Sequence, residues 1–535
     1  MSGRDDRDVV SSARAERSAP SAPAAAPGAH RRPGRLGAWV LTAAYATIVS
    51  FGAVHHEPWR DEVVPLSIAR HAHSLVELTR PLKFEGHPIL WYLVLWIGNG
   101  LVGRAWILKV ASAASAIGAV FLLARSPLAW WLKTLVAFSF FPLYQYAVVS
   151  RGYSLEMLVL CAFCALYPRR GEHPVALAFV LAALANTEAY GLVMALAAAA
   201  MLLVEAGMRG GLRAVRVDRG VVAGAVVFVL GLALAVAVAF PDPAHPLTGF
   251  EHLAPSSLAA GLGRAVLAPV GHAGTFGIVP VPSAFAWAYF IYLVPRPSVL
   301  CFAAVALVGI ETLSNVVYGP GAPWHVGNLV LVLVAAMWLD ASGSAPALAL
   351  SPVLVGARRW LGRALALAVA VVFAGQVALG VAHLRADLRY DYSANRRLAE
   401  LLRSDPALAN AVVMGEPDTP LWSVPYYADN RIYLAREDTF RAWGMYGPQR
   451  ATTYDLAALL SAARRIRSEC GCAVVVTLGW PLAEPGTYAN FTGTRFEEHF
   501  VATADAREAF FAATRLLARL GPTITDENYD VYVLR

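Results

Sequence analysis

The chain has 535 residues, of which 57% are hydrophobic and only 15% charged. Soluble domains carry roughly 25% charged residues, so this composition, with a mean hydropathy of +0.52, excludes an ordinary soluble enzyme. The formal net charge of +7 does not point to nucleic acid, because the arginines fall in short loops between apolar runs, the positive-inside pattern of membrane proteins.

Residues 1–36 are rich in Ser, Ala, Pro and Arg and read as a disordered cytoplasmic tail. The apolar run at 37–54 has no small-residue cleavage site after it and is read as a retained span. Arg31, Arg32 and Arg35 precede it, so it starts in the cytoplasm. Residues 55–104 then face outward. Within them the short, Trp-rich stretch 88–101 is expected to lie on the membrane. Were it a full span, the later basic loops would fall outside.

Ten further spans are expected at 105–124, 128–148, 154–167, 174–189, 191–206, 219–240, 281–295, 298–317, 325–340 and 362–383. The loops with Arg125 and Lys133, Arg169 and Arg170, Arg209 to Arg219, Arg296, and Arg358 to Arg363 then fall in the cytoplasm. Eleven spans leave the C-terminus outside. Residues 384–535 change character. Helical periodicity appears in NRRLAELLRSD, TYDLAALLSAARRIRSE and DAREAFFAATRLLARL, and β-rich runs in NAVVMGE, RIYLA, CAVVVTL and YDVYVLR. The fold expectation is an α-helical polytopic membrane domain, 37–383, followed by an extracytoplasmic α/β domain, 384–535. Cys161, Cys164 and Cys301 lie in apolar runs and read as core. Cys470 and Cys472 flank a Gly, and a local disulfide is open to them if the tail lies outside.

Chemistry-bearing residues gather at one end of the spans. Asp61 and Glu62 follow the first span. On an irregular segment, adjacent acids point different ways, so one can act as base while the other binds a metal or orients an acceptor. The bland alternative is a solvated loop start, or an N-cap for a helix over VVPLSIARHA. Lys83, Glu85 and His87 add a cation, an acid and an imidazole to the same outer loop. Arg151 stands at an outer span end beside Tyr153 and Glu156. A guanidinium there suits a phosphate at headgroup level, or else a salt bridge to Glu156. Glu188 and Tyr190, and Trp324, His325 and Asn328, occupy other outer ends. His55, His56, His71 and His73 form no metal signature, and most are read as solvent-facing.

The elements WRDE and EGHPILWYLVLW resemble the D-E and H-P-P-L-x-Y elements of polytopic GT-C glycosyltransferases. They are most similar to the protein O-mannosyltransferase and lipid A aminoarabinose transferase group, whose A-R-x-Y element SRGYSLEMLVL resembles. The motifs EGHPILWYLVL, QYAVVSRGYSL and ALANTEAYG also resemble a bacterial subgroup of that superfamily. Two departures stand out. Ile89 replaces the second Pro, and Trp324-His325 replace a basic residue before a late span. The resemblance implies inverting transfer of a sugar from a polyprenyl-phosphate donor on the outer face of a bacterial cytoplasmic membrane, to a glycan, lipid or protein acceptor. It implies that Asp61 takes the acceptor proton and that Glu62 and Glu85 support the acceptor or a divalent cation. Arg151 and Lys83 would neutralise the leaving phosphate, with Tyr153 and His325 beside them, and His87, Glu156 and Glu188 as support. A lipid-linked glycan transporter, or a non-catalytic envelope assembly protein, are the competing readings. A transporter would show polar or broken helices near the bilayer midplane.

Overall fold

Long apolar runs leave the main chain no hydrogen-bond partner but itself, and they fold as helices. The computed structural model describes residues 35–209, 219–240, 283–314, 323–445, 449–491 and 497–535, with isolated positions between 240 and 323. Most of the N-terminal tail, the 210–218 loop and most of the 242–272 loop lie outside the described residues. The helices are α1 (Arg35–His55), α2 (Arg60–His71), α3 (Leu90–Val102), α4 (Ile107–Ala124), α5 (Trp130–Ala137), α6 (Tyr153–Leu166), α7 (Pro174–Ala185), α8 (Ala189–Met208), α9 (Arg219–Ala239), α10 (Ser283–Leu293), α11 (Pro297–Leu313), α12 (Pro323–Ala341) and α13 (Pro352–Arg389).

Among the described residues five helices, α1, α4, α8, α9 and α13, are long and apolar enough to cross a membrane. The other expected spans are helices of 8 to 19 residues. The expected span 128–148 is not one helix. α5 stops at Ala137, and Phe141–Val148 continues as a π-helix with Pro142 in its first turn. Proline lacks the N–H that would carry the α-helical ladder through this point. α3, with 13 residues, spans only about 20 Å, short of the ~30 Å hydrocarbon layer. α13 is longer than its apolar run and continues to Arg389. Where α1 meets the π-helical stretch, Gly52 permits the contact, since a Cβ there would sit 2.8 Å from Val148.

The C-terminal region adds α14 (Asn395–Ser404), α15 (Leu456–Cys470) and α16 (Ala504–Ala513). Its strands are β1 (Val412–Glu416), β2 (Ile432–Leu434), β3 (Thr439–Phe440), β4 (Thr453–Asp455), β5 (Val474–Leu478), β6 (Gly486–Phe491), β7 (Glu497–Ala502), β8 (Thr514–Leu520) and β9 (Tyr529–Leu534). One sheet runs β8-β9-β5-β1-β2-β3, and a smaller one β4-β7-β6. β1 and β5 are parallel neighbours at the centre of the larger sheet and are buried throughout, as continuous apolar strands in a covered parallel pair must be.

The helical reading of DAREAFFAATRLLARL holds only to Ala513. Thr514 turns extended, at φ −124° and ψ 166°, and TRLLARL becomes the strand β8, antiparallel to β9. The Leu and Arg residues there have good helix propensity, but pairing with the committed strand β9 outweighs it. Cys470 and Cys472 are disulfide-bonded.

Candidate active site

α2 begins at Arg60, so Asp61 and Glu62 stand in a first helical turn rather than on an irregular segment. They still point apart. Glu62 is fully buried. Its Oε1 accepts from the Trp59 N–H at 3.2 Å and lies 2.9 Å from His56 Nε2, while its Oε2 accepts from the Ser150 N–H at 2.5 Å. His56 Nδ1 reaches Asp387 Oδ2 at 2.8 Å, near the end of α13. Burial works against a charged imidazole here, but the Glu62 and Asp387 carboxylates on either side outweigh it and push His56 up to about 10. His56 thus bridges two acids through both ring nitrogens. This corrects its expected solvent-facing place. His55, His71 and His73 are exposed.

Asp61 keeps 28% of its side chain exposed, and its Oδ2 lies 3.2 Å from Arg151 Nη1. Ser150 and Arg151 thus face Glu62 and Asp61, so two consecutive residues meet two consecutive acids. The Arg151 guanidinium lies over the rings of Tyr153, at 5.2 Å, and Trp324, at 5.3 Å. Tyr153 stacks on Tyr146, whose hydroxyl donates to the Trp324 carbonyl at 2.6 Å. The partner of Arg151 is Asp61 and not Glu156. Glu156 lies fully buried on α6, and neither carboxylate oxygen has a hydrogen-bond partner among the described residues.

The segment from Lys83 to Leu90 folds onto the same place. His87 Nδ1 lies 2.8 Å from Glu188 Oε2, and the Leu90 N–H donates to the Asn186 carbonyl at 2.8 Å. Gly152 makes room for Glu188 beside Arg151, since a Cβ on Gly152 would sit 2.1 Å from Glu188 Oε1. The Tyr92 phenol is within electrostatic reach of Glu85, Glu188, Arg151 and Asp61. Burial, and then the three acids, push it well above the ordinary tyrosine range, with Arg151 opposing.

Asp61, Arg151 and Glu188, with His87 bonded to Glu188, therefore lie together, and Tyr92 feels Glu85 and this group alike. Lys83 is exposed on the helical turn Leu82–Glu85. His325 packs on Tyr190 and Trp324 and touches the cluster through that tryptophan. Glu62, one of the acids expected to support a divalent cation, is already engaged. Both Glu62 oxygens are taken by protein partners, and no group of three or more His, Cys, Asp or Glu is arranged around a metal position among the described residues. Sequence reasoning missed His56 and Asp387. An acid 331 positions from His56 leaves no local signal.

No protein-family model matches the chain. No curated protein matches it. Among solved structures it is similar to ArnT from Cupriavidus metallidurans bound to undecaprenyl phosphate, at 14% identity and a TM-score of 0.48, over 92% of this chain and 97% of that one. It is also similar to the apo state of ArnT, at 14% identity and a TM-score of 0.49, over 93% and 98% of the two chains.

Proposed function

We propose that the protein is an inverting membrane glycosyltransferase. It moves a monosaccharide from a polyprenyl-phosphate donor to an acceptor hydroxyl on the outer face of the cytoplasmic membrane. The observation that carries this reading is the Asp61–Arg151 contact of 3.2 Å, which places a partly exposed carboxylate and a guanidinium side by side. The sequence elements that hold them, WRDE and SRGYSL, are those that resemble GT-C enzymes.

The acceptor oxygen attacks the anomeric carbon as Asp61 takes the hydroxyl proton. The bond from that carbon to the phosphate oxygen breaks, and the electron pair leaves with the polyprenyl phosphate. Negative charge grows on the departing phosphate, and Arg151 is held by two aromatic rings to receive it. Asp61 and the phosphate share Arg151, so a bound donor draws the guanidinium toward itself and frees Asp61 to act as base. Glu85, Glu188 and His87 are assigned to orienting the acceptor hydroxyls.

The test is transfer of labelled sugar in membranes, supplied with a panel of polyprenyl-phosphate sugars. The wild type transfers sugar from at least one donor, and a folded Asp61→Asn variant loses at least about a hundredfold in rate. Equal transfer by both would remove Asp61 from the chemistry. A second reading, a transporter of lipid-linked glycans, draws on the break between α5 and the π-helical stretch. It gains ground if lipid-linked sugar crosses vesicles carrying the protein and no transfer occurs.

A further inference from the structure

The turn that carries Asp61 is gripped from the far end of the chain. Glu57 Oε2 accepts from the main-chain N–H groups of Tyr392, at 2.9 Å, and Ser393, at 3.2 Å, and its Oε1 lies 2.6 Å from Arg396 Nε. The Tyr427 hydroxyl donates to the Pro58 carbonyl at 2.7 Å. The Arg60 guanidinium donates to both oxygens of Asp526, at 2.5 and 3.0 Å. Its main-chain N–H donates to Glu527 Oε1 at 2.9 Å.

The last contact matters most. The first N–H groups of a helix have no partner within it. The side chain before α2, Trp59, makes no capping hydrogen bond. The Arg60 N–H is met instead by a carboxylate 467 positions away, whose charge also suits a helix N-terminus. Glu527 is fully buried. Its second oxygen accepts from Ser393 Oγ at 2.5 Å, Ser423 Oγ at 3.0 Å and Asn395 Nδ2 at 3.0 Å. Glu527 is thus fixed by the C-terminal region on one side and fixes α2 on the other.

On the reading of Asp61 as the base, we propose that the C-terminal α/β region is part of the active site, and that Glu527 is a positioning residue for Asp61. It sets where the first turn of α2 stands and therefore how Asp61 meets Arg151 and the acceptor. Errors of about an ångström in such placement cost up to a hundredfold in rate without weakening substrate binding.

The experiment uses the full chain in lipid nanodiscs, with two readouts. Hydrogen exchange at residues 60–64 is expected to speed by about tenfold or more in Glu527→Ala, while exchange in β5 stays as in the wild type. In sugar transfer, the same variant is expected to lose about tenfold in kcat with donor KM within about twofold. Glu527→Gln keeps an oxygen for the Arg60 N–H and is expected to recover most of the rate. Wild-type exchange at 60–64, or a kcat that does not fall, overturns the proposal. If Glu527→Ala does not fold, Asp526→Asn is read by the same two criteria. The two readings fail separately. If no donor on the panel is used, the exchange result alone decides whether Glu527 holds α2. If transfer occurs and Asp61→Asn retains it, the base assignment falls while the exchange result stands.

Discussion

Two charge clusters in this molecule are built to opposite specifications. In the C-terminal region Arg436 and Arg450 meet Glu416, Asp418, Glu437 and Glu498. Arg436 lies within 2.6 Å of Glu416, and Arg450 within 2.5 Å of both Asp418 and Glu498. These side chains are no more than 3% exposed. Arg436 gives its remaining donors to the carbonyls of Ala451, Thr452 and His499. Such a network is closed and holds loops to a sheet. At the start of α2, by contrast, Asp61 and Arg151 share a single contact, and 28% of the acid remains exposed. The same residue types are architecture where they are sealed and, on the proposed function, chemistry where a face is left open.

The largest expected effect separates the two on stability. Arg450→Ala leaves buried carboxylates unmatched and should cost about 3–5 kcal/mol. Denaturant unfolding followed by tryptophan fluorescence would measure it, since Arg450 lies over Trp422. Transfer per folded molecule should stay within about twofold of wild type. A large loss of rate in the folded variant would break the distinction.

Asp61→Asn should reverse that profile. It should lose at least about a hundredfold in transfer while stability changes by less than about 1 kcal/mol, as expected for a partly exposed ion pair. Arg151→Lys comes next. It keeps the charge but loses the planar guanidinium that meets Asp61 and lies over two rings, and about a tenfold fall in kcat is expected. Full activity in the lysine variant would mean that only a point charge is needed.

The smallest effects are in pH dependence. Burial pushes Glu416 up to about 8 despite the opposing Arg436, and His56 is pushed up to about 10. Both groups bind protons more tightly folded than unfolded, so each contributes stability at low pH that is lost as pH rises through the folded value. The C-terminal sheet should therefore weaken from the usual carboxylate range up to about pH 8. The His56 contribution should begin to fall above the usual histidine range and be lost near pH 10. Hydrogen exchange at β1 and at residues 56–62 across pH would resolve the two, and the opposite order would contradict the assignment.

Much of this was legible in the sequence, and the parts that were not share one cause. Most expected spans match helices to within a few residues, because apolar length is a local signal. Asp61, Glu85 and Arg151 stood out as charges at span ends. Which charge meets which did not, because pairing is set by the fold. Arg151 had Glu156 five residues away, yet it forms its ion pair with Asp61. Asp387 and Glu527 gave no local signal, since each meets its partner only through the fold. The strand β8 was hidden in the same way, since its fate depends on a partner beginning at Tyr529.

One feature of α13 bears on how such chains could be recombined. Its apolar pattern ends near residue 383, where a boundary between the two regions would naturally be drawn. The helix nevertheless runs on to Arg389 and carries Asp387 to His56. A C-terminal region grafted from another chain at that boundary would arrive without matching partners for His56, Glu57, Pro58 and Arg60. The C-terminal region therefore cannot be exchanged at residue 383 alone: residues 56–60 belong with it, while Asp61 and Glu62 next to them keep partners in Arg151 and Ser150.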